Sequence, residues 1–148
     1  MAIDTVTEPC IVAWASARPD LTAAVAEARV AGYDPGDAAQ FARAESPGSD
    51  LQLRWELAYN HYAQPLPGGG IVPFLISWDP ECADILPPNT AVAGLTLTGL
   101  RAESPSPAEV APLLSAVGLD AADVELAEGP KPRIIATLDT PLGPIELG

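Results

Sequence analysis

The chain reads as an α+β domain made of two tandem βαβββ modules that together form a cup. Three observations predict this. The order strand, helix, three strands occurs twice along the sequence. The residues that punctuate the two halves recur at one spacing: Pro19, Gly32, Asp34 and Asp37 return as Pro105, Gly118, Asp120 and Asp123, each 86 positions later. Prolines, glycines and aspartates of this kind set backbone geometry at helix ends and turns, so a duplicated fold keeps them while other side chains drift. Finally, each half is too small to cover its own sheet. Two halves side by side bury one face under helices and leave the other as a cup.

Module one spans about residues 9–79, a connector 80–89, and module two about 90–148. Residues 1–8 are a polar lead-in. Cys10–Ser16 reads as a buried strand. Arg18-Pro19-Asp20 turns into a helix whose apolar face is Leu21, Ala24, Val25 and Ala28, and Gly32 ends it. Asp37–Glu45 is a strand and Ser46–Asp50 a turn. In Leu51–Tyr59, leucines, Trp55 and Tyr59 alternate with Gln52, Arg54, Glu56 and Ala58, the pattern of a strand with one apolar and one polar face. Asn60–Pro67 is a loop. Gly68-Gly69-Gly70 then forms a hinge into a strand over Ile71–Asp79, which Pro73 marks as edge or bulged.

The three prolines of Pro80–Asn89 make a connector. Thr90–Arg101 is a strand. Ser106 and Glu109 have capping-box spacing, with Pro107 at the first helical position. Val110, Leu113, Leu114 and Val117 form the buried face of this second helix. Pro112 kinks it or delays its start, and Gly118 ends it. Asp123–Glu128, Arg133–Thr140 and Pro144–Leu147 are the last strands, separated by Gly129-Pro130 and Pro141-Leu142-Gly143.

One domain is the expectation for 148 residues. At this size roughly 70% of the unfolded surface is buried on folding, so no disulfide or metal staple is required. The net charge is −13, from 20 acids and 7 bases. Such a surface repels phosphate backbones and anionic lipid, so nucleic acid and membranes are excluded as partners and a neutral or cationic small molecule is favoured. Cys10 and Cys82 lack metal-ligand spacing and read as reduced core thiols of a cytoplasmic protein. Neither a signal peptide nor an apolar run of membrane-spanning length is present in the sequence.

The tandem βαβββ pattern resembles the vicinal oxygen chelate superfamily, which includes glyoxalase I, extradiol dioxygenases and bleomycin-resistance proteins. More narrowly, Leu53-Arg54-Trp55-Glu56-Leu57, Pro67–Gly70 and Pro73-Phe74-Leu75-Ile76-Ser77-Trp78 are similar to bacterial glyoxalase-like domain proteins. So is the tail from Gly129-Pro130-Lys131-Pro132-Arg133 through Leu138–Leu147. The resemblance implies an incomplete barrel around a divalent metal. Its ligands come from a His near the first strand of a module and a His or Glu near the last. Glu146 falls at the last-strand position. At the other positions stand Val12, Ala13 and Trp14, Gly94, Leu95 and Thr96, and Pro73 and Phe74, none a metal-ligating side chain. The reading therefore expects no cofactor and no complete metal site. It also expects a homodimer, because superfamily members build sites across dimers.

Several residues are candidates for a site. Arg54 and Glu56 share the polar face of their strand, either orienting a ligand in the cup or pairing across strands in water. Trp14 and Trp78, with Trp55, Tyr59, Tyr62 and Phe74, offer stacking surface. Trp55 reads as core because it lies among leucines, and Trp78 as a pocket residue because it ends its strand beside Asp79. His61, the single histidine, is a general base at the rim or ordinary surface. With one histidine, a multi-histidine metal site is impossible. Glu146 is a pocket acid, a metal ligand or a solvated strand carboxylate. The reading that follows is a glyoxalase-like small-molecule-binding protein. The alternatives are a metal-dependent lyase or dioxygenase whose site a second chain completes, and a non-catalytic interaction module.

Overall fold

The computed structural model describes residues 10–60, 66–86, 89, 91 and 93–148. The fold is mixed α+β: strands β1 (Ala15–Ala17), β2 (Ala38–Ala44), β3 (Gln52–Ala58) and β4 (Phe74–Trp78), then β5 (Thr96–Ser104), β6 (Glu125–Glu128), β7 (Arg133–Asp139) and β8 (Ile145–Leu147), with helix α1 (Leu21–Val30) after β1 and α2 (Pro107–Ala116) after β5. They form two open sheets of four strands, ordered β1-β4-β3-β2 and β6-β5-β7-β8. Two compact units result. One holds residues 15–60 and 74–86, the other 10–14, 66–73 and 94–148.

In the first unit, β1 is shorter than its apolar run suggests. Cys10–Trp14 lies outside it, and Cys10 is exposed, not a core thiol. Asp20 caps α1 by accepting the Ala23 N–H at 2.9 Å, and Leu21, Val25 and Ala28 are its buried face. β2 pairs antiparallel with β3 over its whole length, Ala38 opposite Ala58 and Ala44 opposite Gln52. β4 lies between β3 and β1, so it is a central strand, not an edge. Pro73 causes no conflict because the strand begins at Phe74, one residue after the missing donor. A 3-10 turn, Pro80–Ile85, follows. In it the buried Cys82 thiol accepts the Arg54 N–H at 3.4 Å and donates to the Gln52 carbonyl at 3.2 Å, satisfying β3 where β4 has ended.

In the second unit, Pro67–Gly70 is a tight turn in which Gly68, Gly69 and Gly70 all take positive φ. A Cβ on Gly70 would collide with the Val12 carbonyl oxygen. Next to that contact, the Trp14 indole N–H donates to the Ile71 carbonyl at 2.7 Å. Ile71, Val72 and Pro73 are buried here, ahead of the strand they were expected to belong to. β5 starts six residues later than its apolar pattern implies and runs through Ser104. The capping box does not form. Ser106 is the N-cap residue, but its side chain makes no cap bond; instead Ser104 Oγ accepts the Ser106 N–H at 3.1 Å. α2 neither begins at Pro112 nor stops there.

The punctuation shared by the two halves is structural. Tyr33 N–H bonds to the Ala28 carbonyl at 2.9 Å, and Leu119 N–H to the Leu114 carbonyl at 3.0 Å. Asp34 accepts the Gly36 N–H at 3.1 Å, and Asp120 the Ala122 N–H at 2.7 Å. Both helices thus end through a positive-φ glycine into the same aspartate turn. The sheets do not repeat. β1 pairs with β4, whereas β5 pairs with β6 and β7. A short turn with Gly143 at φ 111 folds β8 back onto β7, and β8 stays at the edge. Strand order follows the connections as well as the element order.

Candidate functional site

The site is built where β2, β3 and β4 run in register. Phe41 is opposite Trp55, and Trp55 opposite Trp78. Residues paired directly across strands share a face, so these three rings form one row. Phe41 and Trp55 are stacked, with centroids 5.9 Å apart and planes at 14°. Trp55 and Trp78 are 5.8 Å apart and tilted by 52°. Trp55 is therefore half-buried in an aromatic row and not enclosed among leucines. On the other face, Gln40 is opposite Glu56, Glu56 opposite Ser77, and Ala42 opposite Arg54.

A cleft of about 530 Å³ lies on this part of the sheet, lined by residues 40–42, 54–56 and 77–80. The lining includes Phe41, Trp55 and Trp78 of the aromatic row as well as Gln40, Arg54, Glu56 and Ser77.

Arg54 is committed within the cleft. Its Nε donates to Asp79 Oδ2 and its Nη2 to Glu81 Oε2, both at 2.7 Å. The bond to Asp79 raises the guanidinium pKa further, while Arg54 and then the Glu81 N–H hold the Asp79 carboxyl below its ordinary value. Asp79 in turn caps the 3-10 turn by accepting the Glu81 N–H at 2.9 Å. Glu56 has different company. Gln40 Nε2 reaches its Oε1 at 3.4 Å, and no cation of the described residues lies within ion-pair distance of it. Ser77 Oγ donates to the Pro19 carbonyl at 3.4 Å.

The family model of the glyoxalase-like domain matches residues 1–118. The chain belongs to the glyoxalase-like domain family, within the vicinal oxygen chelate superfamily. No curated protein and no solved structure matches the chain.

In this glyoxalase-like domain, Arg54, Glu56 and Trp78 come together around one cleft. Trp14 belongs to the other unit, its indole spent on the Ile71 carbonyl. His61 and Tyr62 lie outside the described residues. Glu146, also in the other unit, is 61% exposed on β8, with Arg101 Nη2 4.0 Å from its carboxylate. Among the described residues no group of three or more His, Cys, Asp or Glu could hold a metal ion. Gln40, Ser77 and Asp79 also line the cleft and were not singled out from the sequence. Gln40 carried a signal, as one of two polar residues in the alanine-rich β2 opposite the better-patterned β3.

Proposed function

We propose that this glyoxalase-like domain binds a small molecule bearing a cationic group in the β2-β3-β4 cleft, without a complete metal site. The supporting observation is Glu56, a cleft-lining carboxylate with no cation within ion-pair distance among the described residues, Arg54 being bonded to Asp79 and Glu81. Such a carboxylate attracts an ammonium or amidinium, and the Gln40 amide and Ser77 hydroxyl add neutral contacts beside it. The chain's net charge of −13 favours the same class.

Calorimetric titration with benzamidine, benzamide and benzoate tests this. Benzamidine should bind saturably and more tightly than benzamide, and benzoate should not bind. Glu56→Gln should weaken benzamidine by about 1 kcal/mol, roughly fivefold, and leave benzamide unchanged. Equal benzamidine affinity in Glu56→Gln and wild type would overturn the reading.

A second reading keeps Glu146 as one ligand of a divalent metal, with the rest supplied by a second chain, in a lyase or dioxygenase. Its support is the exposure of the Glu146 carboxylate, 61%, which leaves it open to a partner. Thermal unfolding with zinc, manganese, nickel or ferrous iron decides it. A midpoint rise that disappears in Glu146→Ala favours the metal enzyme, and no rise with any of them rejects it.

A further inference from the structure

β2 is the outermost strand of its sheet, and all seven of its residues are exposed. Among the described residues it pairs only with β3, so one edge of its backbone donors and acceptors has no strand beside it. Exposed edges are usually blunted by Pro, Lys, a bulge or an inward charge. β2 has none of the first three: its sequence is AAQFARA and its pairing with β3 is unbroken. It is also free of acids in a chain that carries 20, so self-repulsion is smallest here.

We infer that β2 pairs antiparallel with β2 of a second copy of this chain about a two-fold axis. Charge selects the register. With Phe41 on the axis, Asp37 would stand opposite Glu45 of the second copy, twice over, and like charges directly opposite repel. With Gln40 on the axis, Asp37 stands opposite Arg43 of the second copy, again twice, Phe41 packs beside the small Ala39, and the two Gln40 amides meet. Asp37 is 91% exposed and uses one carboxylate oxygen, Oδ1, for Arg29, which leaves Oδ2 to accept from the new partner. Arg43 Nη1 folds onto the Ala44 and Glu45 carbonyls at 3.1 and 3.2 Å, so its Nη2 and Nε remain available to a carboxylate. The interface is isologous and extends the four-stranded sheet to eight strands.

Sedimentation equilibrium of the full chain provides the test. Wild type should be a reversible dimer. Asp37→Arg and Arg43→Asp should each raise the dissociation constant about tenfold or more, since two attractions become two repulsions. A one-to-one mixture of the two variants should restore the dimer, because every contact then joins Arg to Asp. The far-UV spectra of both variants should match wild type. If either variant fails to fold, hydrogen exchange of wild type decides instead: β2 amides should become more protected as protein concentration rises. A monomeric wild type, singles that remain dimeric, a mixture that stays monomeric, or β2 exchange independent of concentration would each overturn the inference.

Discussion

Gly70→Ala should be among the most costly alanine substitutions at any glycine of this chain, and Gly143→Ala in the same unit is its control. Both glycines have positive φ, 100° and 111°. An L-residue held in that region costs about 1–3 kcal/mol. Alanine recovers about 0.4–1 kcal/mol by stiffening the unfolded chain. At Gly143 nothing lies within 4 Å of an added Cβ, so the net loss there is about 1 kcal/mol. At Gly70 the Cβ would meet the Val12 carbonyl, a backbone atom that cannot swing aside as a side chain does. Overpacking adds about 1–3 kcal/mol, which brings the total to about 3 kcal/mol. The two variants should therefore differ by about 2 kcal/mol, roughly thirtyfold in the folding equilibrium. Urea unfolding followed by tryptophan fluorescence reads this as a midpoint difference of about 1 M at unchanged slope. Gly70→Ala should also shift the emission of Trp14, whose indole bonds to the adjoining Ile71 carbonyl. A difference below about 0.5 kcal/mol would show that the Val12 segment moves off the glycine turn without cost, and the steric argument would fail.

Pro112→Ala should stabilise the chain by about 1–2 kcal/mol: the exposed proline sits inside α2, where it removes one helical hydrogen bond, and its stiffening of the unfolded chain recovers only part of the loss. The thermal midpoint would then rise by about 2–8 °C, and a fall would mean that the ring packs favourably. Stability should also depend on pH through Asp79 and Asp34, both held below the ordinary carboxylate value of 3.8, mainly by Arg54 and Arg29 respectively. A depressed folded pKa stabilises the fold above the unfolded value, and that contribution is lost as pH falls through the folded value. Between pH 5 and pH 2, Asp79→Asn should therefore lose less urea resistance than wild type does; an equal loss would remove Asp79 from the account.

Local chemistry was the legible part of the fold. The helix boundaries, the β2 and β3 strands and the repeated aspartate turns depend on neighbouring residues, and the sequence pattern located them well. Strand ends were less legible. The run CIVAWAS is apolar throughout, but Trp14 leaves the strand because its indole finds the Ile71 carbonyl, a partner 57 residues away. Ile71 and Val72 look like strand residues for the same reason, and they are buried beside the glycine turn instead. Apolarity reports burial; it does not distinguish a strand from a buried turn. Strand order was the least legible. Both halves read strand, helix, three strands, yet β4 enters the centre of its sheet while β8 stays at the edge of the other.

The site shows why residue type alone misleads about function. Arg54 has the chemistry of a ligand-binding side chain, and alternation placed it correctly on the polar face of β3. What alternation could not show is that the chain turns after Trp78 and brings Asp79 and Glu81 to the guanidinium. Those two bonds make Arg54 a clasp for the turn, so Arg54→Ala should loosen the turn. Among the described residues, the same bonds leave Glu56 without a cation in the cleft, because the cation one pleat away is already held. The proposed preference for a cationic ligand thus rests on ion pairs that join residues 25 and 27 positions apart in sequence.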